Sequence, residues 1–297
     1  MTAPNATGSA SPPGGRVVAV GGGTGLAALL SGLKERVGDT IDDLAAVVAV
    51  TDDGGSSGRL RRDFGVLPPG DIRNCLAALA DDSDLATRLF QYRFESGEGL
   101  SGHSFGNLFL TALTALTGDF PQAILTAERV LRTRGRILPA TLASVHLAAE
   151  TVGGRRIEGE TSIGATRERI ARIELVPADA PAFEPAVEAL LAADLVLLGP
   201  GSLYTSILPN LLFGELARGI AATRARVALV MNLMTQPGET DGLTALEHLA
   251  ALEQHLGHGV VDLVLVHAGE LPADRTATYR AATGAEPVRL DRAALVA

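Results

Sequence analysis

Unbroken apolar runs, each closed by glycine or small polar residues and followed by a helix-period stretch, recur along this chain. The first, Val17-Val18-Ala19-Val20, runs into Gly21-Gly22-Gly23-Thr24-Gly25 and then an Ala/Leu-rich stretch to residue 33. Continuous rather than alternating hydrophobicity marks a strand covered on both faces, as in a parallel sheet. Similar runs at 44–50, 194–198, 227–231, 261–266 and 287–290 predict further strands. Helical patterns near 70–79, 185–193, 240–255 and 275–282 separate them. A helix starting at about Gly102 is apolar nearly all round and is expected to be buried.

The pattern changes between about 140 and 177. Residues 145–151 and 156–161 flank Gly153-Gly154 and read as a β-hairpin, and 173–176 adds a short strand. The prediction is an α/β fold: a doubly wound, mostly parallel Rossmann-like sheet with a small β-hairpin excursion. Residues 16–297 are expected to form one domain and 1–15, rich in Pro, Gly, Ser and Ala, a disordered tail.

Composition narrows the function. A net charge of −9 provides no basic stripe for a duplex, so a nucleic-acid partner is excluded. The single cysteine, Cys75, excludes an intramolecular disulfide and a Cys-based zinc cluster. The first fifteen residues lack the apolar segment of a signal peptide, and no apolar run reaches the length of a membrane span. The expected compartment is the cytoplasm, without membrane insertion.

The candidate chemistry lies in the loops that close the strands. Gly22, Gly23, Thr24 and Gly25 join a strand to a helix, and 23–28 fits G-x-G-x-x-A. Glycine lets backbone N–H groups approach an anion while the helix dipole points at the same place. After the second strand stand Asp52 and Asp53, then Ser56 and Ser57. The acidic pair could accept ribose hydroxyls, hold Mg2+ against a diphosphate, or serve as an Asx turn. Asp71 reads as the cap of the next helix and Asn74 falls in its first turn. His103 and Asn107, spaced i, i+4, are expected on one helix face near the crevice. Gly201 and Ser202 open a second small-residue loop after the strand at 194–198, with Asn210 in the helix beyond.

Together the motifs at 21–26, 52–61, 67–76, 102–108, 199–210 and 236–242 resemble the YvcK-type gluconeogenesis factors, similar in fold to 2-phospho-L-lactate transferase. The resemblance runs from about residue 16 to 290. It implies binding of a UDP-sugar, UDP-N-acetylglucosamine or UDP-glucose, with no cofactor required for binding. It further implies regulation of carbon partitioning, cell-wall synthesis and cell shape during gluconeogenic growth, without established catalysis. The alternative it carries is a transferase using a nucleotide diphosphate donor, with Mg2+ on Asp52 and Asp53. Tyr279 lies near where the family places an aromatic beside the uridine. A homodimer and a regulatory protein partner are the remaining expectations. The family pattern continues past this point with a further strand and a basic segment, whereas this chain stops at Ala297.

Overall fold

The computed structural model describes residues 14–81, 84–291 and 295. Most of the tail expected at 1–15 lies outside them, and Gly15 already belongs to the first strand. The first half runs β1 (Gly15–Gly21), α1 (Gly23–Leu33), β2 (Ile41–Val48), α2 (Gly55–Phe64), α3 (Gly70–Leu79), α4 (Asp84–Gln91), α5 (Phe105–Thr117), α6 (Phe120–Leu131) and β3 (Arg136–Pro139). The excursion contains β4 (His146–Thr151), β5 (Arg156–Glu158), α7 (Glu160–Ala165) and β6 (Ile170–Val176). The second half runs α8 (Glu184–Ala192), β7 (Leu195–Leu198), α9 (Leu208–Leu211), α10 (Gly214–Ala222), β8 (Arg226–Val230), α11 (Ala245–Leu256), β9 (Leu263–Leu265) and α12 (Ala273–Thr283).

Six strands form one parallel sheet in the order β3-β2-β1-β7-β8-β9. Strand order reverses between β1 and β7, and in an open α/β sheet the crevice beyond the carboxyl ends at that reversal is where ligands bind. Successive residues of β1 face opposite layers. Val18 and Val20 join a core with α8, α10 and α11, whereas Val17 and Ala19 pack with α1, α3 and α6. That double burial is why β1 and β2 read as continuous apolar runs.

β5, β4 and β6 make the second, antiparallel sheet. Leu147, Ala149, Ile173 and Leu175 share a core with Val18 and Val20. β6 begins at Ile170, three residues before the strand expected from the sequence.

Other boundaries differ for local reasons. The strand expected at 287–290 is reduced to isolated bridges, Pro287 with Met234 and Arg289 with Thr244. Proline has no N–H to continue a ladder. The run at 261–266 pairs only over Leu263–Leu265. α11 starts at Ala245 rather than near 240, because Thr244 and Glu247 form a capping box. α5 starts at Phe105 with Ser104 as its cap, so His103 precedes the helix instead of sharing a face with Asn107. Nor is α5 buried all round, since Leu116 is 82% exposed. Cys75 is fully buried, as a small hydrophobe. Among the described residues no helix is long and apolar enough to cross a membrane.

Candidate functional site

Two backbone loops meet at the reversal point. A Cβ built on Gly25 would stand 2.6 Å from the Pro200 carbonyl oxygen, and one on Gly201 would stand 3.4 Å from the Gly22 carbonyl oxygen. The turn after β1 and the loop after β7 are therefore in direct contact. Gly23, at φ +65°, starts α1, and Thr24 in its first turn is exposed. Free N–H groups of that turn and the positive end of the helix dipole suit an anion.

The second loop is held from behind. Asn232 clamps Gly201 at both ends, accepting from its N–H (3.1 Å) and donating to its carbonyl (2.7 Å). Residues 203–207 form a single π-helical turn, a feature frequent at functional sites. The Ser202 hydroxyl donates to Gln236 Oε1, and Gln236 Nε2 donates to Glu239 Oε1 at 2.8 Å. Glu239 also accepts from Thr205 Oγ1 (3.1 Å) and the Tyr204 N–H (3.3 Å). Burial pushes its carboxyl up to about 6, against the hydrogen bonds from Thr205 and Tyr204. The 236–242 motif is thus a buried clasp on the second loop. Glu239→Ala is expected to destabilise the fold by about 2–4 kcal/mol in urea unfolding, since three donors lose their acceptor in a dry site.

Asn210 is fully buried; its Nδ2 donates to the Gly21 carbonyl (3.1 Å) and the Ser206 carbonyl (2.8 Å), binding α9 to the end of β1. Its Oδ1 has no partner among the described residues.

The acidic loop after β2 approaches from the other side, its two carboxylates turned to different neighbours. Asp52 Oδ1 accepts from the Gly54 N–H (2.9 Å), and Oδ2 would be 2.8 Å from a Cβ on Gly70, beside Ser57. Asp53 Oδ1 accepts from the Thr161 N–H (2.9 Å) and hydroxyl (2.7 Å), tying the loop to α7. Asp71 lies in the first turn of α3 but does not cap it: Pro69 holds the cap position, and Asp71 accepts a hydrogen bond from the Gly23 backbone. The wrong partner was expected because the cap pattern is local, whereas this contact joins residues 48 positions apart. Burial raises Asp71 to about 6, the Gly23 hydrogen bond opposing and the charge of Asp52 adding.

Glu160 was not singled out from the sequence. It accepts from Thr51 Oγ1 at 2.7 Å, and burial lifts it well above the usual carboxylate range, helped by Asp71, Asp52 and Asp53. No local signal marks Glu160, whose partner lies 109 residues away; Glu239 falls within the 236–242 motif, but its contacts with Thr205 and Tyr204 span 34 and 35 residues.

Ser56 and His103 form a buried pair, Oγ to Nδ1 at 2.9 Å. Burial lowers the His103 pKa and Arg59 adds to that effect, so the imidazole is neutral at pH 7. Asn107 is buried, its Oδ1 without a partner among the described residues, and Asn74 Oδ1 accepts from Arg73 Nη2 at 2.7 Å. Beyond β8 and β9, and adjoining Asn232, lies a cleft of about 440 Å³ lined largely by apolar groups, among them Met231, Leu233, Ala277 and Val288, with His267 and Arg280. Tyr279 sits on α12 half exposed and is not among the lining residues.

Among the described residues no group of three or more His, Cys, Asp or Glu is arranged to hold a metal. Mg2+ commonly takes one or two carboxylates and completes its shell with phosphate oxygens and water, and the Oδ2 atoms of Asp52 and Asp53 accept no hydrogen bond among the described residues.

Residues 17–297 match the family described as 2-phospho-L-lactate transferase CofD. A Nostoc relative is 52% identical over 283 residues, which is 95% of this chain and 61% of that protein. The Bacillus subtilis protein named gluconeogenesis factor is 46% identical over 276 residues, 93% of this chain and 86% of that one. A crystal structure of a Bacillus halodurans protein superposes with a TM-score of 0.91 at 46% identity, covering 96% of this chain and 90% of that chain. The glycine loops described above fall within these matches, and the chain belongs to the CofD family, among its gluconeogenesis-factor relatives.

Proposed function

We propose that the chain binds a UDP-sugar, UDP-N-acetylglucosamine or UDP-glucose, and acts in the cytoplasm as a regulator of carbon partitioning, cell-wall synthesis and cell shape during gluconeogenic growth. The observation that carries the binding is the contact of the 22–25 turn with the 199–202 loop at the strand-order reversal. The open first turn of α1 supplies backbone donors and the positive end of the helix dipole, and the 199–202 loop closes the other side of the crevice, which suits a pyrophosphate. The cleft against α12 adjoins them and is large enough for a nucleoside. The regulatory role is supported by the name gluconeogenesis factor of the Bacillus subtilis relative.

Calorimetry with UDP-N-acetylglucosamine and UDP-glucose tests this. Binding is expected, weakened about 10-fold in Asn232→Ala, which releases both ends of Gly201. No heat with either UDP-sugar ends the proposal.

A second reading is a transferase of the 2-phospho-L-lactate type. It is favoured by Asp52, whose charge reaches Asp71 beside the start of α1, and which with Asp53 would hold Mg2+ together with ligand phosphates. Bound there, the ion would supply positive charge against the diphosphate. Mg2+-dependent release of nucleoside monophosphate with a deazaflavin acceptor distinguishes this reading from the first.

A further inference from the structure

On the outer side of Asp53, away from the glycine loops in sequence and lined by other groups, a second cleft opens between α2 and the start of β4. Its volume is about 380 Å³, and it is lined by Asp53, Arg61, Arg62, Ser144 and His146 with Gly58 and Gly65. We propose that this cleft binds a small polyol monophosphate, the phosphate on Arg61, Arg62 and His146 and a hydroxyl on Asp53.

The first support is the cationic lining. Several arginines of the chain are paired with carboxylates, as Arg134 is with Asp81, Arg136 with Asp43 and Arg172 with Glu150. Arg61 and Arg62 make no ion pair among the described residues, in a chain whose net charge is −9. Arg61 is partly buried and donates from Nη2 to the Ser144 hydroxyl at 3.0 Å, a neutral partner. This partly desolvated guanidinium has a hydroxyl as its hydrogen-bond partner and the Asp53 carboxylate across the cleft, and its planar fork matches phosphate oxygens.

Arg62 supplies the second cation. A Cβ on Gly58 would be 3.4 Å from Arg62 Nη1, so this long, exposed side chain folds back along α2 toward the cleft. His146, at the start of β4, faces the same space and can donate to a phosphate oxygen.

Asp53 makes a bare phosphate a poorer ligand than a phosphorylated polyol. Its Oδ1 is taken by Thr161, while Oδ2 has no hydrogen-bond partner among the described residues. A carboxylate oxygen repels an anion and accepts a hydroxyl. A ligand carrying phosphate at one end and hydroxyls at the other satisfies both halves of the cleft.

The test uses the full chain, titrated calorimetrically with glycerol 3-phosphate, inorganic phosphate and glycerol. Glycerol 3-phosphate is expected to bind about 10-fold more tightly than phosphate, and glycerol not at all. Arg61→Gln and Arg62→Gln, each checked for an unchanged melting temperature, are expected to weaken glycerol 3-phosphate by about 10-fold. Asp53→Asn should erase its advantage over phosphate. Saturating UDP-N-acetylglucosamine should leave the glycerol 3-phosphate heat in place. Absence of binding at 10 mM, about the weakest useful affinity here, overturns the proposal, as does binding indifferent to both arginine variants. Displacement by the UDP-sugar also overturns it, by placing the ligand in the crevice. UDP-sugar titration of Arg61→Gln alone keeps the two sites distinguishable, since crevice binding is expected to stay within about threefold of the unsubstituted chain.

Discussion

Gly25→Ala is expected to abolish UDP-sugar binding, weakening it by more than about 100-fold, and to destabilise the fold by about 2–3 kcal/mol. Two effects of one methyl group oppose each other. Gly25 has ordinary helical geometry in α1, and alanine in a helix is favoured over glycine by about 0.5–1 kcal/mol. Against that, the added Cβ would stand 2.6 Å from the Pro200 oxygen, 2.9 Å from its carbonyl carbon and 3.1 Å from Gly201 Cα. All three atoms are backbone, so relief requires the loop after β7 to move off the turn after β1. The same movement opens the crevice beside the N–H groups that start α1. Gly32→Ala is the control, because nothing lies within 4 Å of a Cβ there. It should stabilise the same helix by up to about 1 kcal/mol and leave binding unchanged. Chemical unfolding and calorimetry on both variants decide the matter. A Gly25→Ala protein as stable and as avid as the parent would mean that the loops do not meet in solution.

The parts of this site that are legible in the sequence are those whose signal is local. The run at 17–20 followed by five small residues announces strand, turn and helix within about fifteen positions, and both glycine loops fall at the ends of strands that flank the reversal. Ser104 and Asp119 cap their helices through contacts three residues long. Illegible were contacts made across the chain. Asp53 meets Thr161 over 108 positions and Asn210 meets Gly21 over 189, and nothing in the spacing of either pair announces the partner. His103 was misplaced for a different reason: the apolar pattern of α5 extends back past its cap, and Ser104 stops the helix one residue short of it. At 287–290 the hydrophobic pattern suggested a strand, but Pro287 cannot continue a ladder and only bridges form. Patterning thus places the sheet, the two loops and Asp52, Asp53 and Asp71, while Glu160 and the partners that set the electrostatics of these carboxylates come only from packing.

Those acidic groups lead to the second large effect, from Asp71→Asn. Burial holds the Asp71 carboxyl at about 6 against an ordinary 3.8, so the folded chain keeps a proton there that the unfolded chain has lost. The resulting stability is fully present below the unfolded value and is lost as pH rises through about 6. Above that, the ionised form costs about 3 kcal/mol, two pKa units at about 1.4 kcal/mol each. Asparagine keeps an oxygen to accept from the Gly23 N–H and adds an N–H2 that Asp52 can accept, while carrying no charge. Asp71→Asn is therefore expected to be about 1–3 kcal/mol more stable than the parent at pH 7.5 and equal to it near pH 4, read by chemical unfolding at both values. The ligand should feel the same charge. Without divalent ions, parent affinity for UDP-N-acetylglucosamine is expected to fall about 10-fold between pH 5.5 and 7.5, as a carboxylate forms beside the anion loops. The variant should hold the tighter value throughout. If Asp71→Asn instead weakens binding at both pH values in chelator, Asp71 grips the ligand rather than repelling it, and the phosphate does not lie at the start of α1.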